Sequence, residues 1–130
     1  MIIICPYDRL DAVMERYRPH RAISIMDNAA DMGIDGLTPE NHLKIGYSMA
    51  EAAGRKASAP HCETGRIEQM IDFARAHDWS TPLLIHCRLG LSRSPAAALI
   101  IQCALSPGRE ESRFAEELRT LSDNVEPSFL

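Results

Sequence analysis

No apolar stretch in this chain approaches the roughly 20 residues that a membrane-spanning helix requires. Runs such as Pro82 to Ile85 and Ala96 to Ile101 end well short of it. The segment Met1-Ile2-Ile3-Ile4-Cys5-Pro6 has no basic residues before its brief apolar run, so no secretory signal is expected and the cytoplasm is the expected location. Positive charge is also scarce: 14 Lys and Arg face 18 Asp and Glu, a formal charge of -4. Long-range attraction to nucleic acid or to an anionic membrane is therefore not expected, and any bound anion must be held by local geometry. The four cysteines, Cys5, Cys62, Cys87 and Cys103, include no CxxC pair, and the chain is not a short cysteine-dense framework. Free thiols rather than structural disulfides follow. Internal repeats are absent as well.

What is present is 130 residues, 45% hydrophobic and 25% charged. That suits one globular domain over 1–130 with a single buried core. The β-branched run Ile2 to Ile4, ended by Pro6, predicts a short buried strand. From Asp8 to about Arg18, Leu10, Val13, Met14 and Tyr17 recur at helical spacing until Pro19 stops the pattern. A strand is expected over Arg21 to Met26, then a loop over Asp27 to Asn41 whose Asp, Gly, Asn, Thr and Pro content is turn chemistry. His42 to Met49 alternates Leu43, Ile45 and Tyr47 with more polar neighbours, which predicts a third strand, and Ala50 to Ala59 is expected to be loop.

Thr64 is expected to cap a helix over about Gly65 to His77, with Ile67, Met70, Ile71 and Ala74 on one face. Pro82 to His86 predicts a buried strand, and Ser94-Pro95 starts a helix to about Leu105, because proline at the first helical position gives up a donor that has no partner there. Pro107-Gly108 breaks that helix. Arg109 to Leu121 offers a last amphipathic helix through Phe114, Leu118 and Leu121, and Asp123 to Leu130 is expected to be a mobile tail. Strands alternating with helices predict an α/β domain: a mostly parallel central sheet of four or five strands, helices on both faces, and functional groups at the carboxyl ends of the strands.

That rule directs attention to His86-Cys87-Arg88-Leu89-Gly90-Leu91-Ser92-Arg93-Ser94-Pro95, which links a predicted strand to a predicted helix. Backbone amides of such a loop converge on an anion, and the helix N-terminus adds unpaired N–H groups and a favourable dipole. Cys87 then sits where amides, helix end and the Arg93 guanidinium all favour a thiolate, the nucleophilic form. Arg93 can grip two phosphate oxygens at once, and Gly90 removes a side chain from the anion's path. Ser94 is placed to donate its hydroxyl to the Cys87 sulfur, before attack and again when the sulfur leaves.

The pattern His86-Cys87-x5-Arg93-Ser94 resembles the signature loop of the cysteine-dependent protein tyrosine and dual-specificity phosphatases. Gly90 and the closing Ser92-Arg93-Ser94 resemble the small, bacterial-type dual-specificity branch; the specific match covers about ten residues. The resemblance implies a phosphatase-like fold and a two-step reaction. Cys87 attacks phosphorus to form a phosphocysteine, water hydrolyses it, and Arg93 with the loop amides of Arg88, Leu89, Gly90, Leu91 and Ser92 stabilises the transferring group without metal or cofactor. Substrates would be phosphorylated proteins or small phosphoesters.

In that family an aspartate on a separate loop protonates the leaving oxygen, a contribution of about 10²–10⁴-fold. Here no aspartate lies between Asp35 and Asp72. Glu51, just beyond the predicted third strand, is the positional candidate, with Asp27, Asp31 and Asp35 as alternatives. His86 is expected to shape the loop through hydrogen bonds, and Arg88 to stand at its rim. Two other readings remain open. A phosphate-binding module that recognises phosphorylated partners without turnover would explain the missing aspartate, and a sulfurtransferase also carries a reactive cysteine after a strand. A zinc site pairing His61-Cys62 with His86-Cys87 lacks close ligand spacing and would consume the nucleophile. Cys5 and Cys103 read as core residues, either of which can form a reversible disulfide with an oxidised Cys87.

Overall fold

The computed structural model describes residues 1–27, 29–46, 60–88, 93–106 and 128–129. Its centre is a five-stranded sheet of β1 (Ile2–Pro6), β2 (Arg21–Ile25), β3 (His42–Ile45), β4 (Leu83–Cys87) and β5 (Ser128–Phe129). The spatial order is β3-β2-β4-β1-β5. The first four strands run parallel, and β5 pairs antiparallel with β1 through Ile3 opposite Phe129 and Ile4 opposite Ser128. The expected α/β sheet is therefore present, with an antiparallel strand at one edge. The mobile tail expected over Asp123 to Leu130 is corrected at Ser128–Phe129, which complete the sheet because β1 otherwise presents an unpaired edge.

β4 is flanked by β2 and β1, and Leu83, Leu84 and Ile85 are wholly buried, as a strand covered on both faces requires. Alternate residues divide the core. One face joins Ile2, Ile4, Ile23, Ile25, Ile45, Leu83 and Ile85 to Met70 and Ala74 of α2 (Pro60–Arg75) and Ala97, Ala98 and Ile101 of α3 (Arg93–Leu105). The other joins Ile3, Cys5, Ala22 and Leu84 to Leu10 and Val13 of α1 (Leu10–Tyr17), with Ile34 from the long loop. Helices thus lie on both faces.

Local chemistry explains the boundaries. A single 3₁₀ turn, Tyr7–Arg9, leads from β1 into α1, and α1 ends where Arg18 adopts a left-handed conformation (φ 46°) before Pro19, its N–H still bonded to Met14 at 3.1 Å. The helix expected from Thr64 begins instead at Pro60, a residue suited to a first helical position, so Thr64 lies inside α2 rather than capping it. Phe73 joins Met70 and Ala74 on the core side, and Arg21, at the start of β2, fastens the end of this helix. Its guanidinium donates to the Phe73 carbonyl at 2.7 Å and stacks 3.6 Å from the Phe73 ring. The Asp27 to Asn41 stretch contains two 3₁₀ turns, Ala29–Asp31 and Pro39–Asn41. Gly46 lets β3 close against the first of them, since a Cβ there would stand 3.2 Å from the Ala29 amide. Among the described residues no helix is long and apolar enough to cross a membrane. The expected Ala50 to Ala59 loop and Arg109 to Leu121 helix lie outside the described residues.

Candidate active site

Four parallel strands end along one edge, and Cys87 is the last residue of β4, beside Pro6 of β1 in the register. Its thiol is buried, with 3% of the residue exposed. From the far side of residues 89–92 the chain returns as α3, which opens with Arg93 and Ser94. Ser94 is fully buried in the first helical turn, and its Oγ lies 3.2 Å from Cys87 Sγ. The contact brings the N-terminal turn of α3, the positive end of its dipole, to the sulfur. Ser94 donates here whenever the sulfur is an anion, because a thiolate has no proton to give.

Arg93 is half-buried at the head of the same turn. Arg88 is exposed, and its carbonyl accepts the Tyr7 N–H at 3.0 Å, which ties the strand end to the turn after β1. Leu89, Gly90, Leu91 and Ser92 lie outside the described residues, and so does Glu51.

The other carboxylates separate clearly. Asp27 stands two residues past the end of β2, on the edge where Cys87 lies; its Oδ1 is buried and has no hydrogen-bond partner among the described residues. Asp31 is exposed at the end of the Ala29–Asp31 turn. Asp35 lines an open cleft with Met14, Arg18, Pro19 and His20, at the amino ends of the strands and so across the sheet from Cys87.

His86 is fully buried between β1 and β2. Its Nδ1 lies 3.4 Å from the Cys87 carbonyl oxygen and its Nε2 2.5 Å from Ser24 Oγ, which in turn lies 2.6 Å from His42 Nε2. Burial, opposed by the Cys87 carbonyl and joined by His42, pushes the His86 pKa down to about 4, so its ring is neutral at pH 7. Burial and Lys44 likewise lower His42. Ser24 and His42 were not singled out by the sequence. The two share one face of the sheet by register, Ala22 standing opposite His42 and Ser24 opposite His86, and only the strand pairing shows that they meet.

Cys5 is a core residue, as expected. Burial first, then the neighbouring Cys87 and Asp8, pushes its thiol up to about 12, so it stays protonated. Cys103 is half-buried on α3. Among the described residues no cluster of His, Cys, Asp and Glu is arranged to hold a metal. His61 and Cys62 belong to the first turn of α2.

No family model matches this chain, and no curated protein matches it either. Among solved structures, the chain is similar in fold to OH1 from the Orf virus, described as a tyrosine phosphatase with distinct structural features and triple substrate specificity. The superposition has a TM-score of 0.59 at 16% sequence identity and covers 99% of this chain and 74% of the viral one. At that identity the likeness is one of fold: an α/β domain built on the same plan as a tyrosine phosphatase.

Proposed function

We infer that this chain is a cysteine-dependent phosphatase of the dual-specificity type, one domain acting in the cytoplasm on phosphate monoesters of proteins or small molecules. The observation that carries this reading is the 3.2 Å contact between Cys87 Sγ, at the carboxyl end of a central parallel strand, and Ser94 Oγ, in the first turn of the following helix. The fold shared with a tyrosine phosphatase supports it. Cys87 attacks phosphorus, the ester oxygen departs with a proton, and water cleaves the phosphocysteine to return the thiolate and inorganic phosphate. Arg93 and the amides of residues 88–92 stabilise the equatorial oxygens through both steps. Glu51 supplies the leaving-group proton, with Asp27, two residues past β2 on the edge where Cys87 lies, as the alternative donor.

The second reading, a phosphate-binding module for phosphorylated partners, is favoured by one observation: the absence of aspartate between Asp35 and Asp72. Hydrolysis of p-nitrophenyl phosphate in the presence of a chelator separates the two, because this leaving group needs little protonation. Steady turnover, lost in Cys87→Ser with tungstate binding retained, is the expected result. Tungstate binding without turnover in the unaltered chain establishes the module instead, and cyanide-dependent release of thiocyanate from thiosulfate establishes a sulfurtransferase.

A further inference from the structure

The phosphatase reading uses neither Ser24 nor His42, yet both are buried and joined to the residue that precedes the nucleophile. The three groups form a chain across β3, β2 and β4, and its ends fix its direction. A hydroxyl has one proton, so Ser24 donates to one imidazole and accepts from the other. The Cys87 carbonyl can only accept, so the proton of the neutral His86 ring belongs on Nδ1. Nε2 of His86 is then bare and takes the Ser24 proton, and Ser24 accepts from Nε2–H of His42. The reversed chain sets a nitrogen lone pair against the carbonyl oxygen. Burial keeps both rings neutral, so a second proton on either does not relieve that conflict.

We propose that Ser24 and His42 are positioning residues that hold His86 in its Nδ1–H form, and that this ring N–H anchors the Cys87 carbonyl where β4 gives way to the phosphate loop. In a trans peptide the carbonyl of one residue and the N–H of the next point in opposite directions. Anchoring the Cys87 carbonyl on His86 therefore sets the direction of the Arg88 amide, the first of the loop amides. Among the described residues, the other titratable or charged groups around these three are Cys5 and Tyr7 from the β1 side, the latter with its ring 6.2 Å from His86, and Lys44, beside Ser24 in the register. Asp27 and Arg93 stand beyond the strand ends. The catalytic consequence rests on the phosphatase reading; the tautomer does not.

The test uses the full chain labelled with ¹⁵N-histidine. Long-range ¹H–¹⁵N spectra are expected to show His86 as the Nδ1–H tautomer and His42 as Nε2–H. Ser24→Ala is expected to move His86 toward the other tautomer and to slow iodoacetamide alkylation of Cys87 at pH 6, read on its own peptide, by roughly 3- to 10-fold, the equivalent of one lost hydrogen bond. Ser24→Thr, which keeps the hydroxyl, restores both readouts, as does His42→Gln, which keeps a donor toward Ser24. An Nε2–H tautomer of His86 in the unaltered chain overturns the proposal without any variant needing to fold. So does Ser24→Ala with tautomer and alkylation unmoved. Absence of aryl phosphate hydrolysis in the unaltered chain rejects the phosphatase reading alone, since tautomer and alkylation still decide the relay.

Discussion

Replacing Ser94 with alanine removes one hydroxyl, 3.2 Å from Cys87 Sγ, and leaves the carbon framework of the α3 turn in place. With the sulfur ionised, Ser94 is the donor in a hydrogen bond to a charged acceptor, an interaction of about 1.5–3 kcal/mol. In the proposed reaction the thiolate loses that support twice: as the attacking group before phosphoryl transfer and as the leaving group when water cleaves the phosphocysteine. At about 1.36 kcal/mol per tenfold, the second step slows by roughly 10- to 150-fold. With an aryl phosphate, whose first step is fast, the intermediate then accumulates. Stopped-flow release of p-nitrophenol should change from a linear trace to a burst near one equivalent per active site followed by slow turnover. In addition, the acid limb of the pH–rate profile should move to higher pH, because the unsupported thiolate forms less readily. A Ser94→Ala trace without a burst, with a steady rate within twofold of the unaltered chain, would refute the role given to this hydroxyl.

Three other outcomes follow. Buried, neutral His86 binds its proton more weakly folded, at about 4, than unfolded, near 6.5. Its stabilising contribution is complete above pH 6.5 and is lost as the pH falls toward 4, a span worth about 3 kcal/mol. Urea titrations followed by the single tryptophan, Trp79, should show that decline, and His86→Gln should flatten it; a pH-independent midpoint between 4 and 7 counts against neutral burial. Glu51→Gln is expected to slow hydrolysis of an alkyl phosphate by roughly 10²-fold or more while sparing the aryl substrate, and Asp27→Asn to spare both. The opposite pattern transfers the acid to Asp27, and equal effects on the two substrates remove Glu51 from proton donation. Ile85→Ala, in the wholly buried middle of β4, is expected to cost about 2–5 kcal/mol, read as a lowered urea midpoint; less than 1 kcal/mol would contradict the packing described.

The elements that could be read from the sequence are those whose physics is local. Ile2 to Ile4 and Leu83 to Ile85 announce strands because a strand covered on both faces has no polar alternation. Leu10 and Val13 mark the buried side of α1 by helical spacing. Elements that depend on partners were not legible. β5 is two residues long and exists through its pairing with Ile3 and Ile4, so no periodicity signals it. Thr64 had the chemistry of a cap, but Pro60 offered an earlier start, and a helix once begun propagates at little cost. At the site, His86, Cys87, Arg93 and Ser94 are near neighbours in sequence, and their spacing carried the chemistry. Ser24 and His42 meet His86 only through strand register, across separations that no local pattern spans.

The most direct measurement is a crystal structure of the full chain soaked with orthovanadate, a mimic of the transferring phosphoryl group. The expected density shows vanadium bonded to Cys87 Sγ, the Arg93 guanidinium on two of its oxygens, and the amides of residues 88–92 around the rest. Vanadate bound elsewhere, or Cys87 and Arg93 directed apart with no anion between them, would contradict the proposed chemistry at its root.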